Sequence, residues 1–524
     1  MRLSRRSCLK AMGGLLAAGV AAGPLGQMAR AAGSGGRLVV AVQDNPPQLD
    51  PLRLTTNVAF RVLENIYDRP LGQSAASSGV ARKGLAVAHR QIDPTTFEIV
   101  LRDGVIFHDG GLMTAEDVAF TFGPERMNTG GMPGVAIGRQ FFGGLARVAT
   151  EGDRVVRFVT SAPDPLFEAR LSGWASQVIS KSAFLAMNGD WDRWAAAPVG
   201  TGPYKVAEMR TGSVIRLVAH DRYWGGRPQF DEIEFRIVPE VAARVNGLAA
   251  GDWRLATELG TDQIPLVEKR PGLEIAGGPI MNMRVLNFGT RAGGPLADVR
   301  IRRALGLAID RQLIVDALFG GRLDVPHGYQ WPAYGDMYIE EADRPRFDPE
   351  AARRLLAEAG YDGTPIPYRS QVNYYTAELQ TAQVLVEQWK AVGLNVVLKV
   401  VENWNQVFAQ PEDAIFNGSI NMVLPDVMGS LWPLYGPSGF IQKQAIAWQN
   451  EIFDALGPKL ATMTDRAERR AAHARVLEIF GHDDPPGTVL HANGIFYGKD
   501  QALDWQASQT PAMYFGPRTG DAVA

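Results

Sequence analysis

The chain of 524 residues predicts an α/β protein of more than one lobe, on three observations. Its length exceeds what one ordinary core serves, so two or three domains or one large two-lobed body are expected. Strand-like alternation dominates the first half, whereas beyond residue 280 helical periodicity alternates with strand runs, the order of a doubly wound sheet. The composition, 46% hydrophobic, 21% charged and 9% aromatic, is that of a soluble globular chain and not of a disordered or fibrous one.

The chain opens with "MRLSRRSCLK", a basic start with a twin arginine at Arg5 and Arg6, then the apolar, glycine-rich "AMGGLLAAGVAAGPL" and the small residues Ala29 and Ala31. Residues 1–31 read as a Tat-type signal peptide, which implies a periplasmic destination. Cys8 stands where a Phe is common, which leaves Sec export or retention as an anchor open. Cys8 is also the only cysteine, so the mature chain would hold no disulfide, cysteine metal site or thiol nucleophile. Five basic residues and no acid fall within the first 31, which leaves 48 Lys and Arg against 56 Asp and Glu, a net charge of −8. That balance disfavours nucleic acid or an anionic membrane as a partner. No later segment reaches about 18 uninterrupted apolar residues, the length a membrane span needs.

Taken in order, "RLVVAVQ" from Arg37 is the first strand, and "DNPPQLDP" leads from it into a loop. "TTFEIVLRDGVIF" predicts a hairpin: Phe97, Ile99 and Leu101 alternate on one face, "RDG" turns, and Val105 and Phe107 resume the alternation. "SVIRLVAH" and "DEIEFRIV" are two further alternating strands, with the aromatic turn "DRYWGGRPQF" between them. "DVRIRRALGLAIDRQLIVDALF" predicts a long helix from the spacing of Ile301, Leu305, Ala308, Ile309 and Leu313, with Asp310 and Arg311 as a surface ion pair or a cap at a helix break. "DPEAARRLLAEAG" starts at an N-cap Asp and ends at Gly360. "TAELQTAQVLVEQWKAVG" is an amphipathic helix feeding the strand "NVVLKVVE", and "DRAERRAAHARVLEIF" and "TVLHANGIFYG" give a late helix and a late strand.

Within "GVIFHDGGLMTAEDVAFTF" (residues 104–122), His108 and Asp109 precede Glu116 and Asp117, which raises a metal or acid–base site. One histidine without a second at helical spacing falls short of a ligand set. Thr114 with an acid three residues on fits a capping box, and acids in a first turn suit the helix dipole. The stretch is read as a hairpin end and a helix cap. His327 and His491 are read as ordinary histidines, so no metal and no cofactor is expected. The chain has no Gly-x-Ser-x-Gly elbow, His-Glu-x-x-His pair or Walker loop, and "YGPSG" around Ser438 falls short of a nucleophile elbow. No catalytic residue is expected, and an exported hydrolase is the weaker alternative.

The run "LRDGVIFHDGGLMTAEDVAFTF" resembles the signature of the family 5 extracellular solute-binding proteins, the dipeptide-, oligopeptide- and nickel-binding subunits of ABC importers. The resemblance continues in the family's order through "GTGPYKV", "DRYWGGRPQFDEIEFRIVPE", "DVRIRRALGLAIDRQLIV", "FDPEAARRLLAEAGY" and "QWKAVGLNVVLKVVE". It implies a two-lobed, periplasmic-binding-protein-like fold of type II, in the large cluster with an extra subdomain. Lobe one would take residues 32–69, 199–275 and 485–524, the inserted subdomain 70–198, and lobe two 276–484. It also implies that a monomer captures a peptide-like or other small polar solute between the lobes and delivers it to the membrane permease of an ABC importer. A binding module feeding a signalling receptor would leave the same trace.

The resemblance places a selective loop in "INMVLPDVMGSLWPLYGPSGF". Asp426 falls near the aspartate that holds a ligand's α-amino group in peptide-binding relatives, and an Asx turn after Pro425 accounts for it equally. Where dipeptide-binding relatives carry a carboxylate-binding arginine, this chain has Val372 and Asn373, with no arginine nearer than Arg369. That departure argues against a short peptide. Asn373, Tyr374, Tyr375, Trp404, Trp432 and Tyr435 are read together as an aromatic, amide-lined cleft for a longer peptide, a sugar or an amine-bearing metabolite.

Overall fold

The computed structural model describes residues 35–517 apart from 54–55, 75–77, 79–80, 291–292, 343, 373–374 and 409–413, and apart from the side chains at 404, 444 and 445. The expected signal peptide lies outside the described residues. Those residues form fourteen strands: β1 (Arg37–Val42), β2 (Ala86–Asp93), β3 (Thr96–Leu101), β4 (Leu145–Glu151), β5 (Val155–Thr160), β6 (Tyr204–Arg210), β7 (Val214–Ala219), β8 (Glu232–Ile237), β9 (Leu255–Ala256), β10 (Leu273–Phe288), β11 (Ile366–Gln371), β12 (Val396–Val401), β13 (Ile415–Asn421) and β14 (Gly487–Asp500).

Ten strands make one sheet in the order β12-β11-β13-β10-β14-β9-β1-β8-β7-β6, and the other four an antiparallel sheet β2-β3-β5-β4. The long antiparallel pair β10 and β14 runs through the middle of the ten-stranded sheet. Residues 273–279 pair with 494–500, residues 283–287 pair with 487–492, and the register shifts between the two stretches. β9 joins β14 on the first stretch, and β13 joins β10 on the second. The irregularity follows from sequence: Gly277 (φ 89°) and Gly278 precede Pro279, which has no amide to donate. A Cβ on Gly277 would stand 2.1 Å from the Ile495 carbonyl oxygen.

Beyond this crossing the two halves of the sheet differ. β1 pairs in parallel with β8 and β9, and β11 in parallel with β12 and β13, and helices cover these parallel regions as a parallel sheet requires. The helix Glu378–Ala391 buries Leu385 and Trp389 against Tyr368 and Leu305. The antiparallel sheet packs Phe97, Ile99, Val156 and Phe158 onto Phe122, Phe142 and Phe167 as a separate core.

Two local expectations are corrected. β3 forms its hairpin with β2, through the turn after Asp93, and not with residues 105–107. Only an isolated bridge, Ile106 to Leu112, follows the "RDG" turn, although Val105 and Phe107 are buried as their alternation requires. β2 escaped notice because it is mostly solvent-exposed and lacks apolar alternation. The long helix is two, Val299–Leu307 and Arg311–Phe319, and Asp310 caps the second by accepting from the Leu313 amide at 2.9 Å. Arg311 is no surface ion pair: it is buried, and it donates to the Val489 carbonyl (2.6 Å) and the Thr488 hydroxyl (2.8 Å) of β14.

The stretch at 104–122 is structural. The Thr114 amide donates to the Asp117 carboxylate at 2.9 Å, closing the capping box of the helix Ala115–Thr121. His108 clasps the loop before β6, with Nε2 3.0 Å from the Gly202 carbonyl oxygen and Nδ1 accepting from the Gly200 amide at 3.3 Å. Burial first, then the nearby His220 and Lys205 charges, lower its pKa to about 3 despite the Gly202 hydrogen bond.

Candidate functional site

A cavity of about 360 Å³ lies between the lobes. On the lobe-one side the helix Asn57–Ile66 presents Asn57, Phe60 and Glu64 to it, three residues at i, i+3 and i+7 that share one helical face. Phe141, at the end of the helix Val135–Phe142, and Trp174 complete an aromatic wall. Trp174 meets Phe60 edge-on at 5.1 Å and Phe141 edge-on at 4.9 Å, the geometry aromatic rings favour.

Behind this wall stands a buried ion cluster. Glu64 accepts from Arg69 and, at 2.5 Å, from Arg82, whose guanidinium also bonds Gln73 and lies over the Tyr514 ring at 4.7 Å. Burial alone would raise the Glu64 pKa, but the two guanidinium charges hold it below the usual carboxylate range. Neighbouring Asp68 is raised by burial, although Trp224, Thr201 and Tyr223 all donate to it.

Lobe two supplies the opposite wall from β10 (Ile280, Met281, Asn282), β13 (Ser419, Asn421) and the loop beyond it (Met422, Val423, Pro425, Ser430, Leu434). Asn282 and Asn421 face each other across the β10–β13 register, with the Asn282 amide donating to Asn421 at 2.5 Å, while Asn493 donates to Asn282. Gln509, Thr510, Pro511 and Ala512 close one side, anchored by the Met281 amide donating to the Gln509 carbonyl at 2.7 Å. The cavity is therefore apolar and aromatic along its sides, with amides and one ion cluster set into it, the usual make-up of a small-molecule site.

Of the residues expected from sequence, Asp426 lines a neighbouring cavity together with Arg469, and the others that are described do not line this one. Asn373 and Tyr374 lie outside the described residues, as does the side chain of Trp404, although its helix Trp404–Val407 is described. Tyr435 is buried in the lobe-two core and donates to Asn287 at 2.7 Å. Trp432 packs on Phe453 and over Gly457. Tyr375 stands one layer behind the cavity, donating to Ser419 at 2.6 Å beneath the Arg284 guanidinium. None of these three is among the cavity-lining residues, because each already has partners within its own lobe.

Asp426 lies under the wall, 1% exposed. One carboxylate oxygen accepts from the Met428 amide at 2.8 Å, capping the turn Val427–Ser430, and the other accepts from Arg469 Nε at 2.9 Å, with Nη2 at 2.8 Å. Both oxygens are thus engaged by the chain itself. His491 bonds the Ala492 carbonyl oxygen and packs on Phe319, and His327 lies 6.1 Å from the Tyr338 ring. Among the described residues no three His, Cys, Asp or Glu side chains converge on a metal position, and Ser438 is exposed on a loop.

Sequence reasoning missed the lobe-one wall. The available signal was the helix Asn57–Ile66 itself, in which Arg61, Glu64 and Asn65 are buried beside Val62, Leu63 and Ile66. Polar groups on the inner face of an apolar helix need partners, and they find them at functional sites more often than elsewhere.

Two α/β lobes joined by paired strands, with a cavity walled by both, define a solute-binding protein that holds its ligand between lobes. Residues 81–442 match the bacterial extracellular solute-binding proteins, family 5, and the chain belongs to that family. Among its relatives, the oligopeptide-binding protein AppA of Bacillus subtilis is 25% identical over 489 residues, 88% of this chain and 87% of that one. Heme-binding protein A of Haemophilus influenzae is 26% identical over 430 residues, 77% of each chain. The fold is shared with the substrate-binding protein CtaP of Listeria monocytogenes (TM-score 0.80, 22% identity, 92% of this chain and 98% of that one). It is also shared with DppA of Helicobacter pylori in complex with the peptide STSA (TM-score 0.75, 21% identity, 92% and 97%). These relatives are binding proteins, and the chain is a binding protein and not an enzyme. No helix among the described residues is long and apolar enough to cross a membrane.

Proposed function

We propose that the chain is the periplasmic, monomeric binding subunit of an ABC importer, which captures a peptide-like or other small polar solute and delivers it to the permease. The observation that carries this reading is the cavity whose aromatic wall belongs to one lobe and whose amide-bearing wall belongs to the other. A ligand touching both walls stabilises the closed arrangement by its differential affinity for that state, and closure is what a permease can recognise. In this reading the lobes divide within the irregular stretch of β10 and β14, and residues 1–31 direct export. Asn373, Tyr374 and Trp404 remain proposed contacts, and the engaged carboxylate of Asp426 is proposed to shape the wall more than to pair with an amine.

The test is a thermal-shift and calorimetric screen of the protein lacking residues 1–31 against peptides, sugars and amines. A true ligand raises the melting temperature with its concentration as RT ln(1 + [L]/Kd). Trp174→Ala, which removes the aromatic wall, is expected to weaken that ligand by about tenfold or more. A protein indifferent to every solute class, or one that consumes a solute, would count against the reading.

A further inference from the structure

Among the described residues, the cavity of about 360 Å³ between the lobes is lined by three ionisable side chains, Glu64, Arg69 and Arg82. One carboxylate stands against two guanidinium groups. Asp68, the other carboxylate of the cluster, is not among the lining residues, and its oxygens accept from Thr201, Tyr223 and Trp224. The wall from lobe two adds amides and apolar groups but no charge.

Exposure within the cluster decides which charge a solute meets. The Glu64 side chain is 2% exposed, and its two oxygens are taken, one by Arg69 and one by Arg82. Arg69 is 8% exposed, whereas Arg82 is the most open of the three at 15%. The Arg82 guanidinium is held on several sides: Glu64 pairs with one terminal nitrogen at 2.5 Å, the Gln73 side chain accepts from the other, and the Tyr514 ring centroid lies 4.7 Å away. Its backbone is fixed as well, by a reciprocal pair of hydrogen bonds with Gln73 at 2.8 Å. A guanidinium has five N–H donors, and Glu64 and Gln73 take one each. A cation held rigid in a recessed wall attracts an anion more strongly than a free surface arginine does, because less water screens it and less side-chain freedom is lost.

The helix Asn57–Ile66 sets the spacing. Phe60 precedes Glu64 by one helical turn, about 6 Å along the axis. Phe60, Phe141 and Trp174 thus offer an apolar wall one turn away from the cationic corner. A short acid with an aromatic or aliphatic body spans that distance.

We infer that the cavity selects solutes bearing a carboxylate, that Arg82 is the residue that reads this group, and that the aromatic wall takes the apolar body beside it. This rests on the solute-binding reading and adds the charge class of the ligand and the side chain that sets it.

The probes are phenylpropanoate and N-acetylphenylalanine, each as the free acid and as the primary amide, titrated calorimetrically at pH 7 into the parent, Arg82→Gln, Arg82→Lys and Glu64→Gln. The acid-to-amide ratio is the readout, since a residue that only supports the fold would weaken both forms alike. The parent is expected to prefer the acid by at least about tenfold. Arg82→Gln should bring acid and amide to within about twofold of each other, and Arg82→Lys should restore most of the preference. Glu64→Gln, which keeps the shape of the cluster and removes its lining carboxylate, should widen the preference, and it serves if Arg82→Gln fails to fold. Acid and amide of equal affinity for the parent would overturn acid selection and leave solute capture standing. An acid preference that survives Arg82→Gln, or one that Glu64→Gln leaves unchanged, would overturn the assignment to this cluster. Neither acid bound, while a sugar or an amine raises the melting temperature, would overturn the acid class, again without touching solute capture. A protein that answers to no solute of any class fails the solute-binding reading itself.

Discussion

At the scale of single residues, Asp426 shows how one side chain can satisfy two readings until its partners are seen. The Asx-type cap expected after Pro425 is present, and the same carboxylate makes a buried ion pair with Arg469. Removing one member of a buried pair leaves the other charged and unsolvated, so Asp426→Ala is expected to cost about 3–5 kcal/mol. Urea unfolding measures this, and the midpoint should drop clearly. An Asp426→Ala protein of parental stability that no longer binds an amine-bearing ligand would instead assign the carboxylate to recognition. The aromatics carry the same ambiguity: a Trp or Tyr in a loop near a cleft is as useful for packing as for stacking on a ligand. Tyr435 and Trp432 pack inward, while Phe60, Phe141 and Trp174 line the cavity, and of these only Phe60 sits in a segment, the helix Asn57–Ile66, that polar residues among apolar ones set apart.

At the scale of elements, period and punctuation carried most of the information. β7 and β8 fall where alternation predicts them, β1 and β12 where strand-like runs do, and the helix Pro349–Ala359 runs from its Asp348 cap to Gly360 at φ 66°. What escaped were features decided by long-range pairing: the exposed strand β2, the choice of hairpin partner for β3, and the crossing of β10 with β14. The crossing is visible only once two strands separated by 198 residues are side by side, although "AGGP" in β10 is its local trace. Gly277 makes a sharp test, because its positive φ excludes an easy Cβ and the Ile495 oxygen lies in the way. Gly277→Ala is expected to destabilise by about 1–3 kcal/mol and to alter the ligand-induced change in solution scattering, since the strain falls where the lobes are joined. A variant with parental stability and parental closure would mean that the crossing does not depend on this backbone geometry.

At the scale of the whole molecule, buried histidines distributed over both lobes tie stability to pH. His108 clasps the loop before β6, His473 is fully buried against Tyr334 with neither ring nitrogen bonded, and His491 is buried against Phe319. Burial, the largest cause in each, lowers their pKa values from 6.5 to about 3, about 3 and about 4. Below pH 6.5 the unfolded chain therefore binds protons that the folded chain refuses, and stability falls as pH drops towards the folded-state values. Near pH 5 unfolding should take up roughly three protons from these groups, a slope of about 4 kcal/mol per pH unit. His473→Phe isolates one share: the ring is kept and the titration removed, so the variant should gain about 2 kcal/mol relative to the parent on going from pH 8 to pH 5. Thermal unfolding of both proteins across that range decides the matter. Parallel curves for parent and variant would sink the assignment to His473, and a parent whose melting temperature stays level from pH 7 to pH 5 would sink the assignment to all three.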